Sequence, residues 1–144
     1  MKIKQIAIFM ENKPGHLRTI CRVLADAGVN INTLSLADTS QYGILRLLSQ
    51  DWERAREILA KSGFVVNVTE VLAVEVDDRP GGLFTLLDIV GDADLNIEYM
   101  YAFTHHVGKS AVMILRFDDP DKAISLLQAK NVRFLSGSDI FGKA

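Results

Sequence analysis

The sequence predicts an α+β protein made of two tandem copies of one βαββαβ module. The first observation is an internal repeat. Sliding the sequence on itself by 66 residues places residues 12–17 on 78–83 and residues 30–31 on 96–97. The second observation is that apolar residues recur with a period of 2 in some segments and of 3.6 in others. Strands and helices therefore alternate in the same order twice.

The first strand and the first helix of the module are separated by a Pro-Gly pair. Ile6, Ile8 and Met10 recur with a period of 2, which indicates a strand with one buried face. The Pro-Gly pair at 14–15 stops this strand and opens a helix, which Gly28 closes. The apolar stripe of that helix is formed by Leu17, Ile20, Cys21 and Leu24.

The remaining elements of the module are a hairpin, a second helix and a closing strand. Residues 31–37 and 44–48 are rich in Ile, Leu and Thr and flank turn residues, which predicts the hairpin. Asp51 is expected to cap a helix over 52–61, and residues 64–68 form the last strand. The apolar face of that helix consists of Ala55, Ile58 and Leu59. This order is the ferredoxin-like split βαβ arrangement.

The second copy follows the first with almost no linker, because residues 64–68 run through 69–70 into the strand 71–77. We therefore predict two ferredoxin-like modules, at 1–70 and 71–144, that pack together. A unit of about 70 residues buries only about 60% of the surface that its unfolded chain exposes, which favours a shared interface. The similarity of the two copies also predicts a homodimer.

Composition limits the partners and the compartment. A net charge of −2 lacks the basic excess that nucleic-acid binding requires, so no nucleic acid is expected as a partner. Cys21 is the single cysteine and cannot form an internal disulfide, which is typical of the cytoplasm. The sequence contains neither an export signal nor an apolar run long enough to span a membrane, and no membrane partner is expected.

The two Pro-Gly loops give the strongest functional signal. At a strand-to-helix junction, this pair leaves the N–H groups of the following turn pointing outward, where they bind a carboxylate or phosphate. Asn12 and Asp78 precede the two pairs, and their oxygens could accept hydrogen bonds from an ammonium group beside that carboxylate. This chemistry matches an amino acid zwitterion. The alternative is that both residues only cap their helices.

These motifs resemble those of the ACT domains, small regulatory modules that bind amino acids. The resemblance lies in NKPGHL at 12–17 with AGVNI at 27–31, and in DRPGGL at 78–83 with DLNI at 94–97. It implies a free amino acid bound at the module interface, where the first loop of one module faces the second strand of a neighbour. By position, the ligand-binding candidates of the first copy are Asn12, Gly15, His16, Leu17, Asn30, Ile31 and Asn32. Those of the second copy are Asp78, Gly81, Gly82, Leu83, Asn96, Ile97 and Glu98.

The two copies differ within these motifs. Asn12 is neutral where Asp78 is charged, and His16 replaces Gly82, whose missing side chain would allow a ligand to approach the backbone closely. The two sites are therefore expected to bind unequally. The resemblance also implies regulation of an enzyme or a transcription factor, which here would be a separate molecule.

Catalysis is not expected, and the protein is predicted not to be an enzyme. It would require a nucleophile with a base, or paired carboxylates, beside a pocket. Only His16, Asp78 and Glu98 are titratable near the loops, and no Ser or Cys accompanies them in a catalytic arrangement. No cofactor is expected beyond a free amino acid as the effector. The alternative function is a structural dimerisation module without a small-molecule ligand.

For two further groups of residues, we expect neither metal binding nor RNA binding. His105 and His106 are adjacent, so their side chains point apart, and no third ligand completes a metal site. Tyr99, Tyr101 and Phe103 could stack on RNA bases, but no basic cluster accompanies them. They are expected to fill the core or the module interface, or to line the ligand pocket.

Overall fold

The structure of the protein is a computed structural model, which describes residues 1–38, 41–106 and 109–142. The chain divides into two compact units. The first unit is Lys4–Thr69, and the second consists of the described residues 70–142 together with Met1–Ile3.

The first unit has the predicted β-α-β-β-α-β order. Its elements are β1 (Lys2–Glu11), α1 (His16–Asp26), β2 (Thr33–Asp38), β3 (Tyr42–Leu48), α2 (Trp52–Lys61) and the start of β4 (Val65–Asp77). Its strands lie in the order β2-β3-β1-β4, and β3 is antiparallel to both β1 and β2. The two strands predicted at 64–68 and 71–77 are one continuous strand, β4. The turn residues Thr39 and Ser40 lie outside the described residues.

The second unit repeats this order with a shorter closing strand. Its elements are the end of β4, α3 (Gly82–Gly91), β5 (Ile97–His106), β6 (Ser110–Phe117), α4 (Pro120–Ala129) and α5 (Gly137–Phe141). The closing strand is a single bridge between Val74 and Phe134. Helix α5 was not predicted, and a reciprocal capping box between Ser136 and Asp139 begins it.

The first unit has its own core between the sheet and helices α1 and α2. Its buried side chains include Ile6, Ile8, Met10, Ile20, Leu24, Leu45, Leu47, Ala55 and Leu59. The apolar stripes predicted for β1, α1 and α2 are therefore confirmed in their central positions. Leu17 and Cys21, at the margin of the α1 stripe, are only half-buried. Asp51 precedes α2 as predicted, but its side chain accepts no capping hydrogen bond.

The second unit has an equivalent core at matching positions. It includes Leu72, Val74, Val76, Leu86, Val90, Met113, Leu115, Phe117, Ala123 and Leu127. Residues of Met1–Ile3 contact this unit through the ion pair between Lys2 Nζ and Asp121 Oδ1, at 2.8 Å. Met1–Ile3 therefore belong to the second unit, although they precede the first unit in the sequence.

Gly82, at the start of α3, gives a test of this packing. A Cβ atom at this position would collide with the Asp77 carbonyl oxygen, so Gly82→Ala forces the backbone apart. We expect this variant to lower the free energy of unfolding by about 2 kcal/mol in urea titrations. The matched control is Gly91→Ala at the other end of the same helix, where nothing lies within 4 Å. That change should leave stability equal or higher, and equal losses in both variants would contradict the assignment.

Candidate functional site

The two Pro-Gly loops have the same backbone geometry. Three backbone hydrogen bonds recur at matching positions in both. In the first loop they run from Lys13 N to Glu11 O (3.0 Å), from His16 N to Lys13 O (3.4 Å) and from Thr19 N to Gly15 O (2.9 Å). In the second they run from Arg79 N to Asp77 O, from Gly82 N to Arg79 O and from Thr85 N to Gly81 O, each 3.0 Å. The sequence repeat is thus a repeat of conformation.

Each loop ends in a left-handed glycine that leads directly into a helix. Gly15 (φ 89°) is the N-cap of α1, and Gly81 (φ 86°) is the N-cap of α3. Among the described residues no side chain caps either helix start, and the N-caps are Gly15 and Gly81, so the alternative that Asn12 and Asp78 serve as caps is wrong. The first-turn N–H groups have no acceptor four residues back within their helix, and they carry partial positive charge. Leu17 is half-buried there and Leu83 is exposed.

Asn12 and Asp78 differ in their surroundings as well as in charge. The Asn12 side-chain amide donates to Asp38 Oδ2 at 3.0 Å, and its backbone N–H donates to the Gln41 carbonyl. The backbone N–H of Asp78 donates to the Lys109 carbonyl in the same way. The exposed Asp78 carboxylate, however, makes no ion pair with any residue that the structure describes. Both loops are therefore held to the following hairpin, but only Asp78 presents an uncommitted charge.

An acid-base pair brackets Asn12 and Asp78 in each loop, and our reading of the sequence missed it. Lys13 Nζ lies 2.8 Å from Glu11 Oε2, and Arg79 Nε lies 3.2 Å from Asp77 Oδ2. The signal was the acid-x-base spacing, which recurs at the repeat offset of 66. The Lys13 ammonium lowers the pKa of Glu11 by hydrogen bonding and by its charge, and His16 adds a smaller effect of the same sign.

The two copies also differ in what surrounds the position of Gly82. Gly82 is buried, and a side chain there would meet the Asp77 carbonyl and the Val76 side chain of its own unit. At the equivalent position His16 is half-buried, and its Nδ1 is buried without a hydrogen-bond partner among the described residues. The two copies therefore differ at this position in their internal packing.

The second-strand candidates lie at the entries of β2 and β5. Asn30, Asn32, Asn96 and Glu98 are exposed there, and Ile31 and Ile97 are half-buried. In the first unit Ser49, itself buried, donates to the Asn30 carbonyl at 2.7 Å. In the second, Asp118 and Asn96 exchange two hydrogen bonds, of 3.0 and 3.1 Å. Our sequence analysis missed Ser49 and Asp118, although each follows a buried strand directly.

Within one unit the two groups of candidates lie at opposite ends of the sheet. Asn12 contacts Asp38, the last residue of β2, whereas Asn30 and Asn32 precede its first residue, Thr33. The separation is about 20 Å, since strands rise about 3.3 Å per residue. The second unit has the same arrangement along β5. One unit therefore brings together the residues of its loop but not the complete candidate set.

A groove of about 470 Å³ opens beside the second loop. Gly82, Asp77 and Arg79 line it on the loop side, and Lys130 and Arg133 line it on the other side. The first unit has a groove of about 830 Å³ between α1 and α2, and none of the candidate residues lines it. Of these two grooves, only the second adjoins a Pro-Gly loop.

Among the described residues, no three His, Cys, Asp or Glu side chains are grouped so that they could hold a metal ion. β5 extends through His106, so the histidine pair ends a strand, and its side chains lie outside the described part of the structure. Tyr99, Tyr101 and Phe103 are half-buried, opposite β6 residues. No helix in the described ranges is long and apolar enough to cross a membrane.

Comparison with known proteins identifies the family. The model of the ACT domain pair matches residues 1–143, so the chain belongs to this family. This chain is similar to protein BT0572 from Bacteroides thetaiotaomicron, whose crystal structure is known. The two share 34% identity and a TM-score of 0.91, over 99% of this chain and 98% of that one. The regulatory subunit of aspartate kinase from Thermus thermophilus shares the fold at 16% identity and a TM-score of 0.64, over 89% and 90% of the two chains. The search of curated proteins returned no match.

The paired charges of the first loop are testable by titration. We expect Lys13→Met to raise the pKa of Glu11 toward its ordinary value, because the variant removes both the hydrogen bond and the positive charge. Carboxyl-resolved NMR titration of the two proteins measures this change.

The control is Lys61→Met, since Lys61 lowers the pKa of Glu57 by an equivalent contact on α2. That variant should raise the pKa of Glu57 and leave Glu11 unchanged. A Glu11 pKa that is the same with and without Lys13 would contradict the pairing.

Proposed function

We propose that this protein is a non-catalytic sensor that binds a free amino acid at its Pro-Gly loops and thereby modulates a partner protein. The observation that carries the proposal is the pair of uncapped helix starts, each behind a left-handed glycine, beside Asn12 and Asp78. The helix start suits the ligand carboxylate, and the side-chain oxygen suits its ammonium group. Membership of the ACT domain pair family supports the same conclusion.

The second loop is the stronger of the two sites. Asp78 offers a full negative charge that no described residue neutralises, whereas the Asn12 amide is hydrogen-bonded to Asp38. Charge-assisted hydrogen bonds are about twice as strong as neutral ones. The second-strand candidates of each copy complete a site only with a second module, because they lie at the far end of their own sheet.

A regulatory role fits the side chains around the loops better than catalysis does. The hydroxyl groups of Thr19 and Thr85, in the first turns of the two helices, donate to the carbonyls of Gly15 and Gly81 at 2.9 Å, and neither is paired with a base among the described residues. The regulated partner is then a separate enzyme or transcription factor. The ligand shifts its activity only to the extent that it binds one arrangement of the protein more tightly than another.

We also propose that the functional modules are residues 1–70 and 71–144 and that the protein acts in the cytoplasm as a homodimer. The division of the chain after Thr69 supports the boundary between the two modules, although Met1–Ile3 belong to the second compact unit. The single cysteine, Cys21, suits a reducing compartment. Dimerisation without any ligand is the alternative function, and the apolar edge of the first unit favours it.

That edge is strand β2, whose exposed Leu34 and Leu36 are in register with the core residues Leu47 and Leu45. The apolar rows of the core thus run on to the edge strand. An edge strand of this kind is a template for pairing with another chain. Exposed apolar side chains that extend a core are typical of an interface.

Ligand binding is tested by the melting temperature of the protein against each of the twenty amino acids. A ligand at 100 times its Kd adds about 2.7 kcal/mol, which for a chain of this size is roughly 5–10 °C. We expect a selective rise for one chemical class. Asp78→Ala should reduce this rise more than Asn12→Ala does.

Asp88→Ala is the matched control, since Asp88 is exposed on α3 but outside the loop. It should leave the ligand-induced rise intact. A flat response to all twenty amino acids would contradict the sensor and favour the dimerisation module.

Dimerisation is tested by light scattering after size-exclusion chromatography. Leu36→Glu places a charge on the apolar edge and should convert the dimer to a monomer. Val65→Glu is the control, because Val65 is also exposed, at 63%, but lies on β4. An unchanged dimer in the Leu36 variant, or a monomeric parent protein, would contradict the proposed interface.

A further inference from the structure

We infer that the groove beside the second loop receives the side chain of the amino acid ligand and that Lys130 selects a ligand with an acidic side chain. This inference rests on the function proposed above. The groove measures about 470 Å³, within the range of roughly 300–1,000 Å³ that small-molecule sites occupy. Gly82, the first residue of α3, lines it, so the groove adjoins the helix start that suits the ligand carboxylate.

The groove combines an apolar wall with a charged rim. Val76 and Leu86 are buried and Ile89 is half-buried along the wall. The charged lining residues are Glu75, Asp77, Arg79, Lys130 and Arg133. Asn131, with a left-handed φ of 59°, turns the chain after α4 between the two cationic residues that follow this helix. A small ligand with an apolar stem and a charged end fits this lining.

Two ion pairs account for four of the five charged groups in the groove and leave one cation. Arg133 Nη1 lies 2.7 Å from Glu75 Oε2, whose side chain is only 16% exposed. Arg79 Nε lies 3.2 Å from Asp77 Oδ2. Each carboxylate of the groove is thus neutralised by an arginine. The Lys130 ammonium forms no ion pair with any residue in the described ranges and is the groove's uncompensated charge.

The positive charge of Lys130 determines which ligand side chain the groove favours. The carboxylate and ammonium groups of an amino acid are matched by the start of α3 and by Asp78, which leaves Lys130 to face the ligand's side chain. A second carboxylate pairs with this ammonium. A neutral amide side chain forms a weaker hydrogen bond there, and a basic side chain is repelled. The inferred class is therefore the aspartate and glutamate type.

The described residues of the first unit are arranged differently. At the position of Gly82 it carries His16, whose side chain is half-buried. Its own groove lies between α1 and α2, with four carboxylates against two cationic side chains. The lining carboxylates are those of Asp26, Asp51, Glu53 and Glu57. Selection of an acidic ligand is thus a property of the second unit alone.

Calorimetric titration of the full chain at low salt tests the inference. L-aspartate and L-glutamate are the acidic probes, L-asparagine and L-glutamine are their neutral counterparts, and L-lysine is the basic one. We expect an acidic probe to bind best and Lys130→Met to weaken its binding about tenfold, with little change for the neutral probes. Lys122→Met is the matched control, since Lys122 is an exposed lysine of α4 outside the groove.

The outcomes separate this inference from the proposed function. If a neutral or basic amino acid binds best, or if Lys130→Met leaves the affinity for acidic probes unchanged, the inference is overturned while the sensor stands. If none of the twenty amino acids binds the parent protein, both fall. Thermal unfolding of the two lysine variants without ligand checks that each is folded, and equal melting temperatures make the affinity ratio attributable to the groove.

Discussion

The turn from strand to helix through a left-handed glycine is the constraint on which both candidate sites depend. At Gly15 and Gly81 the chain adopts a positive φ that other residues rarely accept, and a helix starts at once. The glycine at each N-cap has no side chain that could cap the helix. The first N–H of each helix donates to a loop carbonyl, and the partial positive charge of the rest of the first turn is available to a bound anion. Because the loop occurs in both copies, both α1 and α3 begin with this partial positive charge.

Periodicity predicted the regular elements well where a stripe and its end signals agree. Helix α2 has the predicted bounds, Trp52–Lys61, because its apolar face spans the whole helix. Helix α5 escaped prediction since its five residues contain no stripe and only a local capping box defines it. The unity of β4 escaped because Thr69 and Glu70 interrupt the apolar pattern, although they keep an extended backbone. Local polarity is thus a weak guide to where a strand ends.

The candidate sites were predictable in composition but not in arrangement. A Pro-Gly pair reveals a loop, yet the opposite ends of β2 at which Asn12 and Asn30 lie follow from strand register, which one copy of the motif does not encode. Ser49 and Asp118 act through hydrogen bonds with the backbone, and a position directly after a buried strand does not by itself identify such a role. The close approach of Gly82 to Asp77 likewise depends on three-dimensional packing.

Met1–Ile3 precede the first unit in the sequence but belong to the second unit of the structure. Lys2 forms its ion pair with Asp121, at the start of α4. A protein fragment that begins at Glu70 would therefore lack a segment that the second unit uses, so the two repeats cannot be separated at their sequence boundary without loss.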